Sequence, residues 1–278
     1  LSGWRGLFVK RYRVLVIGAG RMAEAIFAGL LRTQVEHVEG IVVTNRNNSA
    51  RLIEIKEKYD VTVTHDWREY IESVDVVLLS VPPQQHRELL TEIAPYIRKQ
   101  LVITVAAGIG LDLLEELLPM NTPIAWVMPN TASRIGESIS LYTCGQHVSP
   151  DHRRMLEVIV AGIGEAAECT EEQVHNLTAI TGSAPAFLYL FTEVLEEVTQ
   201  EYGVKPEMAR KLVVQMLFGS VAMLKQGEEP AKLRDDVTTP GGVTAAGIEV
   251  LEKRGFHDIL RQTIYATNSR AREMLDQS

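Results

Sequence analysis

The sequence predicts an α/β protein in two parts, an N-terminal Rossmann-type doubly wound sheet followed by an all-helical domain. Three observations carry this. Through the first 170 residues, continuous apolar runs such as YRVLVIG (12–18), DVVLLSV (75–81) and LVITVAA (101–107) alternate with segments of helical spacing, as expected of parallel strands covered on both faces by helices. The first run leads straight into a glycine turn and then a helix. After Glu171 the strand-like runs stop and helical periodicity takes over. The boundaries expected on this basis are 12–170 for the sheet domain and 171–278 for the helical domain.

In chain order, the strand at 12–18 is followed by a helix from about Arg21 to Arg32, a strand GIVVTN (40–45), a helix SARLIEIKEKY (49–59) and a short strand VTV (61–63). The runs at 75–81 and 101–107 continue the sheet, and PIAWVM (123–128), SISLY (138–142) and EAAEC (165–169) extend it. In the second part, apolar residues at 187, 188, 191, 194, 195 and 198 have helical spacing, with Pro185 expected to force a bend inside that pattern. The segment 206–227 is apolar around most of its circumference. Such a helix must be buried on several sides, and about 105 residues offer limited cover, so packing against a second subunit, a homodimer, is expected.

Composition narrows the function classes. The chain of 278 residues is 46% hydrophobic and 23% charged, an ordinary globular balance with room for two cores. A formal net charge of −8 opposes binding to a phosphate backbone, so no nucleic-acid partner is expected. Cys144 and Cys169 are too few for a disulfide framework, and no CxxC or paired-His spacing suggests a metal. No apolar run approaches the ~18 residues of a membrane span. The leading LSGWRGLFVKR lacks the sustained apolar stretch of a signal peptide, and a cytoplasmic setting is expected.

The glycine turn reads Gly18-Ala19-Gly20-Arg21-Met22-Ala23, a G-x-G-x-x-A pattern between strand and helix that begins after Ile17. Gly18 allows the tight turn, Gly20 lets the backbone approach a pyrophosphate, and Ala23 permits close helix–strand packing, with the helix N-terminus facing the anion. The second strand then discriminates between cofactors. A site for NAD usually has an acid near that strand's end to hold the ribose 2′-hydroxyl. Here the strand ends Thr44-Asn45-Arg46-Asn47-Asn48. Arg46 can pair with a 2′-phosphate and Asn45 can donate to it, so NADPH (or NADP+) is the expected cofactor, with NADH used at lower preference. Val81, Pro82 and Pro83 end the fourth strand, and Ala106, Ala107 and Gly108 follow the fifth. Ligands of open α/β sheets bind at the carboxyl ends of strands, which places both stretches beside the nicotinamide and its ribose.

A second glycine turn, TTPGGVT (238–244), precedes the helical pattern AAGIEVLEK. Flexible glycines, hydroxyls and a helix N-terminus make an anion site. The cofactor phosphates already have Gly18 and Gly20, which suggests a substrate carboxylate here. The alternative is a plain turn and cap, with Thr244 as N-cap.

These residues carry a resemblance. The segment DDVTTPGGVTAAGIEVLEKRGF resembles the last block of the pyrroline-5-carboxylate reductase family, V-[ST]-[ST]-P-G-G-x-T-x-x-G before a helix, and IGAGRMAEAI, TVAAGI (104–109), VMPNTA (127–132) and AITGSAPAF (179–187) resemble its other blocks in the same order. The similarity covers roughly residues 12–275. Pro82 stands where the family commonly has Lys, Trp126 where an Arg is usual, Ala184 for a Gly, and Ala132 for a Pro. The resemblance implies NADPH-dependent reduction of 1-pyrroline-5-carboxylate to L-proline, the last step of proline biosynthesis. It implies that Thr239, Gly242, Val243 and Thr244 hold the substrate carboxylate, and that the Thr244 hydroxyl serves the ring nitrogen as catalytic group. A related reading is an NADP-dependent dehydrogenase of the 6-phosphogluconate dehydrogenase type, whose Lys–Asn pair finds only Asn176 here with no Lys one turn before it. A non-catalytic nucleotide-binding paralogue is a third.

Overall fold

The computed structural model describes residues 10–275. Residues 1–9, most of the leading segment weighed above for a signal peptide, lie outside the described residues. The chain divides into two compact units, one reaching Gly182 and taking in the chain again from Arg270, the other Ser183–Ser269.

In the first unit the elements run β1 (Tyr12–Ile17), α1 (Arg21–Thr33), β2 (Val38–Thr44), α2 (Ser49–Lys58), β3 (Thr62–Thr64), β4 (Val76–Leu79), α3 (His86–Ile93), β5 (Leu101–Thr104), α4 (Leu111–Leu117), β6 (Ile124–Met128), β7 (Ser138–Cys144), α5 (Pro150–Ala161), β8 (Gly164–Glu168) and α6 (Glu171–Thr178). The strands form one eight-stranded sheet in the order β3-β2-β1-β4-β5-β6-β7-β8. The order reverses between β2-β1 and β4, which puts a crevice at the carboxyl ends of β1 and β4. All pairs are parallel except β6 with β7, which is antiparallel from Ala125↔Cys144 to Met128↔Leu141.

Apolar runs became central strands because both faces are covered. Val14 and Val16 point into one core while Leu15 and Ile17 point into the other, and Val76/Leu78 and Val77/Leu79 divide in the same way. That is the two-residue period of a strand. One core takes Ile26, Phe27 and Leu30 of α1 and Leu156 and Ile159 of α5. The other takes Leu89, Leu90 and Ile93 of α3, Leu114 of α4 and Val174 of α6. Val174 is fully buried, so α6 packs with the first unit and the contact division falls after Gly182.

The second unit comprises α7 (Ala184–Glu201), α8 (Pro206–Lys225), α9 (Pro230–Asp236), α10 (Val243–Lys253) and most of α11 (Phe256–Leu275). The bend expected at Pro185 takes another form. A π-helical segment, Ala179–Ser183, runs from α6 directly into α7, and Pro185 follows it in the first turn of α7, so the irregular turn accommodates a proline that a regular α-helix interior would not. Helix α8 keeps only Ala209 and Val213 buried, while Leu212, Met216, Phe218, Val221 and Met223 are exposed. The apolar circumference read from the sequence is real, and one chain leaves most of it uncovered. No helix among the described residues is long and apolar enough to cross a membrane.

Candidate functional site

The first glycine turn is built by contacts that only glycine permits. Gly18 has φ +113°, and a Cβ there would lie 2.3 Å from the Ser80 carbonyl oxygen. Its N–H donates to Thr44 O at 3.0 Å, and Ser80 N donates to Ile17 O at 2.8 Å, so the turn is clamped between the ends of β2 and β4. A Cβ on Gly20, by contrast, would meet nothing within 4 Å. Gly20 is the N-cap of α1, and no side chain caps that helix. The first N–H groups of α1 therefore remain available to an anion that reaches the backbone at Gly20. Ala23 is fully buried, as close helix–sheet packing requires.

Behind the turn, Arg51 Nε donates to Ala19 O at 3.0 Å. Arg51 also pairs with Glu24, which takes Lys58 Nζ and Tyr59 Oη at 2.8 Å each. Burial by itself would raise the Glu24 carboxyl. The bonds from Lys58, Arg51 and Tyr59 outweigh it and hold the group down at about 2.

A cleft of about 500 Å³ opens at this turn. Its wall includes Ile17, Gly18, Ala19, Gly20, Asn45, Arg46, Val81 and Pro82 from the residues expected on sequence; Arg21, Met22, Pro83, Ala106, Ala107 and Gly108 are not part of it. The Asn45 side-chain oxygen accepts from Asn47 N and Asn48 N at 3.2 and 2.8 Å, shaping the loop after β2 and leaving the amide NH₂ as the group's donor. His65, Trp67 and Arg68 from the end of β3, and Glu88 and Glu92 from α3, complete that side of the cleft. The sequence reading passed over them. The segment HDWR follows directly on a predicted strand, so the rule that ligands sit at carboxyl strand ends could have found it. The position of α3 could not be read without the fold.

At the ends of β4 and β5 a buried chain of hydrogen bonds runs between the two loops. His86 Nδ1 lies 3.2 Å from Pro82 O, a carbonyl that only accepts, so Nδ1 carries the proton. Nε2 then accepts from the Thr104 hydroxyl at 2.9 Å, and Thr104 Oγ1 accepts from Ala106 N at 3.3 Å. Trp126 is buried and donates its indole N–H to Ala106 O at 3.0 Å. Its ring lies 4.6 Å from that of His175. The loop after β5 is thus pinned through both polar groups of Ala106.

In the second unit, Gly241 has φ +70° and Gly242 N donates to Thr239 O at 2.9 Å, which closes the turn. Gly242, not Thr244, is the N-cap of α10, and no side chain caps the helix. Thr244 as a cap is therefore corrected: the tight turn uses Thr239 and Gly242, and places Thr244 inside the first helical turn. Val243 is 93% exposed, so this open helix start has its N–H groups unspent.

A doubly wound sheet with an uncapped, glycine-lined helix start at its switch point defines a dinucleotide-binding protein, and the residues present fit such a cofactor. Comparison with known proteins narrows the class. The family model described as pyrroline-5-carboxylate reductase dimerisation matches residues 171–274, and that described as NADP oxidoreductase coenzyme F420-dependent matches 13–108. The chain is 35% identical over 262 residues to pyrroline-5-carboxylate reductase 2 of Bacillus subtilis, covering 94% of each. It is 33% identical to pyrroline-5-carboxylate reductase 3 of Rattus norvegicus over 94% of this chain and 96% of that one. A solved pyrroline-5-carboxylate reductase from Coxiella burnetii superposes with a TM-score of 0.87 at 31% identity, covering 95% and 98% of the two chains. The Plasmodium falciparum pyrroline carboxylate reductase with NADP bound gives 0.85 at 26% identity, covering 96% and 99%. The chain belongs to the pyrroline-5-carboxylate reductase family, and its C-terminal part is that family's dimerisation domain.

Proposed function

We propose that this protein reduces the cyclic imine 1-pyrroline-5-carboxylate to L-proline, preferring NADPH and accepting NADH less well. The supporting observation is the open start of α10: a Gly-Gly turn closed on Thr239, with no side chain covering its N–H groups, in a chain whose relatives bear this reductase name. The nicotinamide, when bound, supplies a hydride for the imine carbon, and the ring nitrogen takes a proton. Gly18 and Gly20 admit the pyrophosphate, Asn45 and Arg46 hold the 2′-phosphate, and Val81, Pro82 and Pro83 with Ala106, Ala107 and Gly108 shape the nicotinamide end. The carboxylate of the substrate lies on Thr239, against Gly242 of the turn, and on the free N–H groups of Val243 and Thr244. The Thr244 hydroxyl donates to the ring nitrogen. Orientation of the imine against the cofactor then provides most of the rate, since the cofactor carries the difficult chemistry.

The exposed apolar face of α8 supports a homodimer, or a ring of dimers, as the working form, with 171–278 as the dimerisation and substrate domain and 12–170 as the cofactor domain. A cytoplasmic site of action accords with this chemistry. Turnover of pyrroline-5-carboxylate with NADPH is the deciding assay; oxidation of NADPH absent with this imine would reject the proposal.

A further inference from the structure

The end of β2 lacks the acid that would mark a site for an unphosphorylated ribose, yet acids do reach this part of the cleft. Helix α3 brings Glu88 and Glu92, spaced by four residues and so stacked on one face. Glu88 Oε1 lies 3.8 Å from Arg46 Nη1, and Glu92 Oε1 lies 3.7 Å from Arg46 Nη2. Glu92 also reaches a second cation, with Oε2 3.2 Å from Arg68 Nη2, while Arg68 Nη1 lies 3.3 Å from Asp66 Oδ1. Arg46, Arg68, Glu88 and Glu92 all line the cleft. Glu92 is the acid that touches both guanidinium groups, and its side chain is 32% exposed against 63% for Glu88.

We propose that Glu92 is a specificity-determining residue that restrains the preference for a 2′-phosphorylated cofactor by competing with the phosphate for Arg46 and Arg68. This rests on the reading that Arg46 holds the 2′-phosphate. A phosphate carries up to two negative charges, and it must share Arg46 with two carboxylates or displace them. A ribose 2′-hydroxyl is neutral and carries no such charge into the cleft. The acids therefore penalise NADPH and leave NADH nearly untouched, which narrows the gap between the two. Glu92 acts on two cations and Glu88 on one, so Glu92 has the larger effect.

The test is calorimetric binding of adenosine 2′,5′-bisphosphate and of AMP to the full-length protein. Glu92→Gln is expected to tighten the bisphosphate by about two- to fivefold, the range of a partly exposed ion pair, and to leave AMP unchanged. Glu88→Gln is expected to do the same to a smaller degree, and it serves as the second variant should Glu92→Gln lower the melting temperature. Steady-state KM values for NADPH and NADH are expected to follow the same split. Equal changes for both probes, or none, would overturn the role of Glu92. Arg46→Ala separates that failure from failure of the underlying reading. If Arg46→Ala removes the preference for the bisphosphate while Glu92→Gln does nothing, the Glu92 proposal alone falls. If Arg46→Ala leaves the preference intact, the assignment of the 2′-phosphate to Arg46 falls, and Glu92 with it.

Discussion

His86 Nε2 accepts a hydrogen bond from the Thr104 hydroxyl at 2.9 Å, and this bond ties the start of α3 to the carboxyl end of β5. The imidazole is fully buried and pinned at its other nitrogen by Pro82 O. It links the loop that carries Val81 and Pro82 to the one that carries Ala106. Burial pushes its pKa down, against a smaller upward pull from the backbone carbonyls.

A pH dependence of stability follows from that ring. Above about pH 6.5, the ordinary histidine value, His86 is neutral in both folded and unfolded chains and costs nothing. Below it the unfolded chain takes up a proton that the buried ring refuses, so stability falls as pH drops towards the lowered folded value. Urea midpoints measured from pH 8 to pH 5 should fall less steeply in His86→Asn than in the parent. Thr104→Val leaves His86 Nε2 and Ala106 N–H without their partner and should cost about 1–3 kcal/mol at pH 8.

Glu24 predicts a second, more acidic limit. Its carboxyl is held at about 2 in the folded chain, against about 4.3 in an unfolded one. Its stabilisation is complete above the unfolded value and is lost as pH falls through the folded one. Glu24→Gln should lower stability at pH 7 by an amount on the order of 1–3 kcal/mol and flatten the acid limb between pH 4.5 and 2. Because Arg51 also holds Ala19 O at 3.0 Å, the same variant should raise the KM for NADPH. A change in melting temperature with no change in that KM would confine Glu24 to stability.

Arg46 predicts a split between cofactors. Arg46→Ala should raise the KM for NADPH by roughly tenfold or more, as loss of a charge-assisted bond to phosphate does, while the KM for NADH changes little. Equal effects on both would remove Arg46 from the 2′-phosphate.

Thr244 predicts a kinetic effect without a stability effect. Since Gly242 caps α10, Thr244→Val removes no cap and should leave the melting temperature within about 1 °C, in line with a surface substitution. If its hydroxyl serves the ring nitrogen in the transition state, kcat and kcat/KM should fall together, by about 10²-fold or less because water can substitute in part. Unchanged kinetics would take Thr244 out of the reaction.

Helix α8 predicts oligomer loss. Phe218 is 68% exposed and Leu212 52%. Phe218→Glu and Leu212→Glu should therefore shift sedimentation towards monomer with little damage to the chain's own core, whereas a charge at Val213, 6% exposed, should unfold it. Obligate dimers often lack a stable monomer, so the monomeric species should melt lower than the parent. A parent that sediments as a folded, active monomer at micromolar concentration would contradict the shared-core reading.

The sequence by itself determined the sheet, the glycine turn and the two-part plan. These depend on local rules. Apolar runs within 12–18, 75–81 and 101–107 make strands because their central apolar residues meet a core on both faces, and Gly18-Ala19-Gly20 makes a turn because only glycine tolerates φ +113° against Ser80 O. The family was legible too, because its blocks are short and contiguous. Tertiary structure alone decided what depends on distant segments meeting. It put Glu88 and Glu92 of α3 against Arg46 of the β2 loop, so a site that reads as free of acids is not. It gave Trp126 a hydrogen-bond partner twenty residues away in Ala106 and assigned α6 to the first unit through buried Val174. In each case the deciding energy is a contact between residues far apart in sequence, and neither periodicity nor a short motif encodes which distant side chain will arrive.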